Sequence, residues 1–218
     1  MFRNTESKYT NLYNENVDID GFRSRNDIAN LIKRVGKKPT YNRAHEWCCG
    51  HGAIGFKLLE DDICTQLVLT DIFQPAIQGC DLTVATNKLH NHVTTYCTNT
   101  LTSLPDVEKW DLFVANPPWR SEITSDIFPR SADEKRKMYD VNWDLHNHMW
   151  NSIGKYLTDD AEIFLFEDTR YSSPDTWSEQ IDKLGYQIIN TYYHCLENFR
   201  TGYIMHIDKK KLASVVKW

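Results

Sequence analysis

Short apolar or β-branched runs recur along this chain, and a longer helix-like segment follows most of them. The runs at residues 44–49, 66–71, 92–97, 111–115 and 161–167 have the length and composition of buried strands. Segments 53–60, 75–88, 133–156 and 174–184 carry helical patterning, and Pro75 suits a first helical turn. A helix between two strands crosses one face of the sheet, so the second strand returns parallel to the first. The alternation therefore predicts an α/β fold: a mostly parallel sheet with helices on both faces. Two further extended runs, 186–195 and 202–207, are joined across 196–201 and predict an antiparallel pair that completes seven strands.

A chain of 218 residues supports one domain with a full core and is short for a catalytic domain plus a separate recognition domain. We divide it into an extension, residues 1–40, and the α/β domain, residues 41–218. The polar start, residues 1–20, reads as loosely ordered. A helix near residues 24–35 serves either as a cover for the substrate side or as simple packing. The net charge of −5 argues against a uniformly basic nucleic-acid surface. Locally, residues 22–43 carry Arg23, Arg25, Lys33, Arg34, Lys37, Lys38 and Arg43 against Asp27 alone. A solvated helix face and a phosphate-binding track both produce such a run.

The six cysteines (Cys48, Cys49, Cys64, Cys80, Cys97, Cys195) show no C-x-x-C spacing, and the polar amino terminus has no signal-peptide core. Both features read as a reduced, cytoplasmic protein. No stretch approaches the ~20 apolar residues that span a bilayer.

Chemistry-bearing residues cluster where strands end. Glu46 closes the first strand, and Cys48, Gly50 and Gly52 follow in the turn into a helix. Glycine admits positive φ and close ligand approach, and a helix amino terminus offers unpaired N–H groups. Asp71 ends the second strand, where an acid in nucleotide-binding α/β folds accepts ribose hydroxyls, or else caps the following helix. Asn99 and Thr100 follow the third strand. Asn116-Pro117-Pro118-Trp119 ends the strand at 111–115. Two consecutive prolines donate no backbone hydrogen bond and fix φ, so they hold an amide and an indole rigidly at the carboxyl end of the sheet. Tyr139, Trp143, His146, Trp150 and Ile153 recur at helical steps and read as a core face, with Trp143 and His146 as candidates for the substrate pocket. His146 and His148 are two apart on a helix, point in different directions and lack a completing ligand, so no metal site is expected. The polar segment 120–136, with Arg120, Arg130, Lys135 and Arg136, reads as a lid or a surface loop.

The series EWCCGHGAIG, LVLTDI, CTNTL, DLFVANPPW and AEIFLFE across residues 46–167 resembles class I S-adenosylmethionine (SAM) dependent methyltransferases of the glutamine-N5 and adenine-N6 branch. It covers about half the chain. The family's first motif is [DE]-x-G-x-G-x-G, so Cys48 stands where a glycine is usual; its Cβ narrows the methionine end of the site or demands an ordinary φ. The resemblance implies a Rossmann-like seven-stranded sheet whose last strand is antiparallel. It implies SAM as cofactor and S-adenosylhomocysteine as product. Glu46, Cys48, Gly50, Gly52, Asp71, Ile72, Asn99, Thr100 and Asn116 would surround the cofactor, and Asn116, Pro117, Pro118 and Trp119 the acceptor. A planar nitrogen is then the methyl acceptor, on a protein amide or a small molecule in preference to RNA. An RNA adenine-N6 enzyme and a SAM-binding module without catalysis are the alternatives.

Overall fold

The structure is a computed structural model that describes residues 2–4, 8–13, 20–122, 138–193 and 200–210. Within the start expected to be loosely ordered, residues 1–20, β1 (Phe2–Asn4) and β2 (Asn11–Tyr13) instead pair antiparallel as a small separate sheet, while residues 1, 5–7 and 14–19 lie outside the described residues. The Asn87 side chain anchors it, exchanging hydrogen bonds of 3.0 Å with the backbone N–H and C=O of Thr10. Helix α1 (Asp20–Val35) then buries Ile28, Ala29, Leu31 and Ile32 in the core against α2 (Ala53–Glu60). Arg25 is also buried, which fits neither the solvated face nor the phosphate-binding track that the basic run left open.

The main sheet contains β3 (Tyr41–Trp47), β4 (Cys64–Asp71), β5 (Val93–Cys97), β6 (Trp110–Ala115), β7 (Leu157–Asp168), β8 (Tyr186–Tyr193) and β9 (Gly202–Lys209). Their order is β5-β4-β3-β6-β7-β9-β8. The first five are parallel, and β9 runs antiparallel between β7 and β8, as the sequence predicts. Every residue of β6 is buried, as expected for the central strand of a sheet covered on both faces. Leu112 and Val114 enter one core, Phe113 and Ala115 the other. Polar residues lengthen β3 beyond the apolar run. The Asp111 carboxylate accepts the N–H groups of Asn42 and Arg43 at 2.9 and 2.8 Å, so the strand begins at Tyr41.

Helix α2 has the predicted bounds, and α3 (Gln74–Asn87) lies within a residue of them. The helix expected over 133–156 is shorter: α4 spans Asp144–Ile153. Asn142 and Trp143 just before it have φ of 58° and 59°, which breaks helical continuity. Tyr139 consequently belongs to a β-bridge with Arg120, not to the helix. Residues 123–137, including Arg130, Lys135 and Arg136, lie outside the described residues, as do Cys195 and most of the 196–201 loop. The segment expected as one helix at 174–184 divides into a 3-10 turn, Pro174–Trp177, and α5 (Ser178–Lys183). The start of the turn is fixed by a capping box between Ser173 and Thr176.

Candidate active site

Strands β3 and β6 are adjacent and parallel, with Trp47 opposite Ala115. The glycine turn after β3 and the Asn116-Pro117-Pro118-Trp119 turn after β6 therefore leave the sheet side by side. Chain order reverses here, since β4 follows β3 to one side and β7 follows β6 to the other. Such a switch point is where open α/β sheets form their ligand crevice. A cleft of about 620 Å³ occupies it, within the usual size of small-molecule sites.

The turn after β3 alternates left-handed residues: Cys48 at φ 53°, Gly50 at 54° and Gly52 at 74°. Cys48 thus keeps the conformation a glycine would hold and does not demand an ordinary φ. The conformation has a cost, since an L-residue in this region is strained by about 1–2 kcal/mol. Gly52 caps α2, and a Cβ there would approach Leu69 Cδ1 and Phe56 Cε2 at 2.9 Å, so packing beneath the loop requires glycine.

Glu46 lies at the floor of the turn, buried, and accepts the N–H of Gly55 at 2.7 Å and that of Ile54 at 3.4 Å. Burial raises its carboxyl to about 8, with the Asp71 charge adding to the rise and the two backbone hydrogen bonds opposing it. Asp71 accepts Gly50 N–H at 2.8 Å through Oδ2 and Phe73 N–H at 2.8 Å through Oδ1. One carboxylate thereby ties the glycine turn to the start of α3. Ile72, 54% exposed, stands at the cleft mouth with Phe73 and Asn99.

Of the residues singled out from sequence, Glu46, Cys48, Gly50, Asp71, Ile72, Asn99, Asn116, Pro117, Pro118 and Trp119 line the cleft. Gly52 and Thr100 do not. Thr100 is engaged instead in a local hydroxyl network with Thr98 and Thr102. At the β6 end, Asn116 Oδ1 accepts the Trp119 indole N–H at 3.4 Å, and Trp119 stacks on Tyr171 with centroids 6.2 Å apart and planes 18° from parallel. Arg120, from the segment read as a lid or a surface loop, and Tyr139, read as part of a core face, complete the lining with Met138, Leu145, Phe166 and Arg170, which the sequence did not single out. A further sequence signal is that Arg120 adjoins Trp119 and that Arg170 follows the carboxyl end of β7.

His146, a candidate for the pocket, does not line it. Its Nδ1 meets Asp140 Oδ2 at 2.5 Å, its Nε2 meets Glu167 Oε1 at 2.7 Å, and its ring stacks on Trp177. Asp140 also accepts the N–H groups of Leu145 and His146, which fixes the start of α4 behind the wall. Among the described residues, no group of three His, Cys, Asp or Glu side chains is placed to hold a metal ion, and no helix is long and apolar enough to cross a membrane.

A seven-stranded sheet with this order and one inserted antiparallel strand, split over a glycine turn, defines the Rossmann-like fold of class I methyltransferases. Residues 28–131 match the model of the methyltransferase small domain family. Among curated proteins none matches the chain in sequence. Similar solved structures include the ribosomal protein L11 methylase of Lactobacillus delbrueckii subsp. bulgaricus, with TM-score 0.63 and 15% identity over 89% of this chain and 83% of that one. The tRNA methyltransferase TrmK of B. subtilis has TM-score 0.60 and 12% identity over 89% and 68% of the two chains. The O-methyltransferase region of StiE has TM-score 0.62 and 12% identity over 86% and 75%. At these identities the likeness is one of fold. Together with the family match it supports a methyltransferase, while the named acceptors of these neighbours differ among themselves.

Proposed function

We propose that this protein transfers a methyl group from SAM to a planar nitrogen of a protein side chain or small molecule. The observation that carries the reading is the placement of Asn116-Pro117-Pro118-Trp119 beside the glycine turn, in one cleft at the switch point of the sheet.

The residues suit the cofactor. The left-handed turn at Cys48 and Gly50 exposes backbone to the cleft, Asp71 stands at the end of β4 with a carboxylate for ribose hydroxyls, and Ile72 and Phe73 offer apolar surface to a purine. When bound, SAM supplies an electrophilic methyl group. Asn116 Oδ1 and the backbone carbonyl of Pro117 accept hydrogen bonds from the target NH2, which turns the nitrogen lone pair towards the donor. The 3.4 Å bond from the Trp119 indole is long, so an acceptor N–H readily replaces it. Trp119 provides a stacking face for the planar group. The nitrogen gains the methyl group, and its surplus proton leaves to water, so positioning and exclusion of water suffice without a strong base.

A small-molecule or protein acceptor is favoured over RNA by the pairing of the basic stretch. Lys37, Lys38 and Arg43 pair with Asp208, Asp111 and Glu108 at the edge of the sheet where the parallel strands begin and β9 ends, opposite the cleft. The catalytic unit in this reading is residues 41–218 with α1 of the 1–40 extension packed into its core. The test is calorimetric titration with S-adenosylhomocysteine, then mass spectrometry of candidate acceptors incubated with SAM. Binding at 1:1 with methyl transfer to oxygen or carbon alone would refute the nitrogen assignment.

A further inference from the structure

The acceptor end of the cleft contains a buried cation, Arg120, held by aromatic rings and, among the described residues, by no carboxylate. Arg120 is only 8% exposed, and its guanidinium lies 5.3 Å from the ring centre of Tyr171 and 5.8 Å from that of Tyr139. Its Nε has no hydrogen-bond partner, and among the described residues no acid forms an ion pair with it. Other cations are treated differently: Arg43 pairs with Glu108, Lys38 with Asp111, and Arg170, in the same wall, with Asp168.

An aromatic face attracts a guanidinium through its ring electrons and leaves the in-plane N–H donors unengaged. A carboxylate would neutralise the charge and occupy those donors. Burying a cation without an anion is unfavourable, so its retention in a ligand cleft indicates an anion that arrives with the ligand. The position is also fixed in advance. Arg120 N–H donates to Met138 C=O at 3.1 Å, and Asp140 N–H donates to Arg120 C=O at 2.9 Å. Asp140 in turn is locked to His146.

We propose that Arg120 binds an oxyanion of the methyl acceptor, so that the substrate is a small planar amine or amide bearing a carboxylate or a phosphate. The proposal rests on the reading of this cleft as the methyl-transfer site. Arg120 adjoins Trp119 in sequence, which sets the oxyanion beside the stacked group, and the forked guanidinium suits a two-point contact with either oxyanion. A cation this enclosed is reached by a terminal group that enters the cleft, whereas a polymer backbone meets exposed cations.

The test is titration calorimetry on protein saturated with S-adenosylhomocysteine, using two probe pairs that differ in charge. Adenosine is compared with adenosine monophosphate, and N-acetylglutamine amide with N-acetylglutamine. The charged member of one pair should bind at least about tenfold more tightly, and that pair names the oxyanion. R120Q should abolish the preference and R120K should retain part of it, with the affinity for S-adenosylhomocysteine unchanged in both as a check on folding. Equal affinities within both pairs, a preference that survives R120Q, or no binding of any probe at millimolar concentration would each overturn the proposal. Failure of wild-type protein to bind S-adenosylhomocysteine would remove the methyl-transfer reading, and this proposal with it.

Discussion

His146 Nε2 lies 2.7 Å from Glu167 Oε1, and neither side chain reaches solvent. Asp140 meets the other ring nitrogen, so the imidazole bridges α4 to the end of β7 directly behind the acceptor wall. Burial alone would lower its pKa, but the Glu167 charge and the hydrogen bonds to Asp140 and Glu167 outweigh it and raise the group to about 9. A pKa raised in the folded state contributes stability that is fully present below the ordinary value of 6.5 and is lost as pH rises through about 9.

H146Q should therefore destabilise the protein most at pH values just below 6.5, by on the order of 3 kcal/mol, because it leaves two buried carboxylates without a cation between them. The gap in melting temperature between wild type and variant should narrow as pH passes 9. Thermal denaturation across this range checks it, and a gap that stays constant would show that His146 is neutral in the folded protein. Other titrating groups, Glu46 included, act in both proteins and cancel in the difference.

Cys48 tests how much the turn after β3 tolerates. C48G removes the left-handed strain but adds chain entropy to the unfolded state, so the net change should stay within about 1 kcal/mol. C48V places a β-branched residue at φ 53° and should cost about 1–3 kcal/mol, with a parallel loss of cofactor affinity. Denaturant unfolding of both variants is the measurement; equal stability of C48V and wild type would contradict a left-handed turn.

What could be read in advance was local. Strand β6 is an unbroken apolar run, and α2 is bounded by Gly52, which needs positive φ, so both stand out from short windows of sequence. Asp71 and Asn116 line the cleft as the sequence suggested, because the carboxyl ends of parallel strands at a switch point form the crevice of an open α/β sheet. The far wall draws Arg120, Tyr139, Leu145 and Arg170 from separate segments, and no short-range pattern joins them. Tyr139 was even misleading: it falls in helical register with His146, yet the left-handed Asn142 and Trp143 lie between them. The β1–β2 pair leaves no local signal because its anchor, Asn87, lies far along the chain.

Asp71 joins the Gly50 N–H, the Phe73 N–H and, in our reading, the ribose. D71A should weaken S-adenosylhomocysteine by about tenfold to a hundredfold, since each hydrogen bond to a charged group contributes about 1.5–3 kcal/mol. D71N keeps one acceptor oxygen and should fall between. Calorimetry at neutral pH decides, and an unchanged dissociation constant in D71A would exclude the residue from the cofactor site.

Glu46 gives the cofactor site a pH signature. With its carboxyl raised to about 8, it is protonated at neutral pH, and a cationic ligand nearby favours the ionised form. Binding of SAM then releases up to one proton, and affinity should rise with pH until about 8 and level off above it. E46Q should remove that dependence. Calorimetry in buffers of different ionisation enthalpy counts the proton directly; a zero count near pH 7 would mean that Glu46 does not respond to the cofactor's charge.

Asn116 separates catalysis from cofactor binding. Its Oδ1 faces the Trp119 indole, and in the proposed reaction it orients the acceptor, whereas the cofactor is held by the turn after β3 and by Asp71. N116A should thus bind S-adenosylhomocysteine almost as wild type does. It should slow methyl transfer by about thirtyfold to a thousandfold, the effect of losing about 2–4 kcal/mol of stabilisation in the transition state. Single-turnover rates with saturating SAM isolate the chemical step from product release. N116D retains the accepting oxygen and should recover part of the rate, which a merely structural role for the amide would not predict. Turnover of N116A within a factor of about two of wild type would place the methyl acceptor away from this turn.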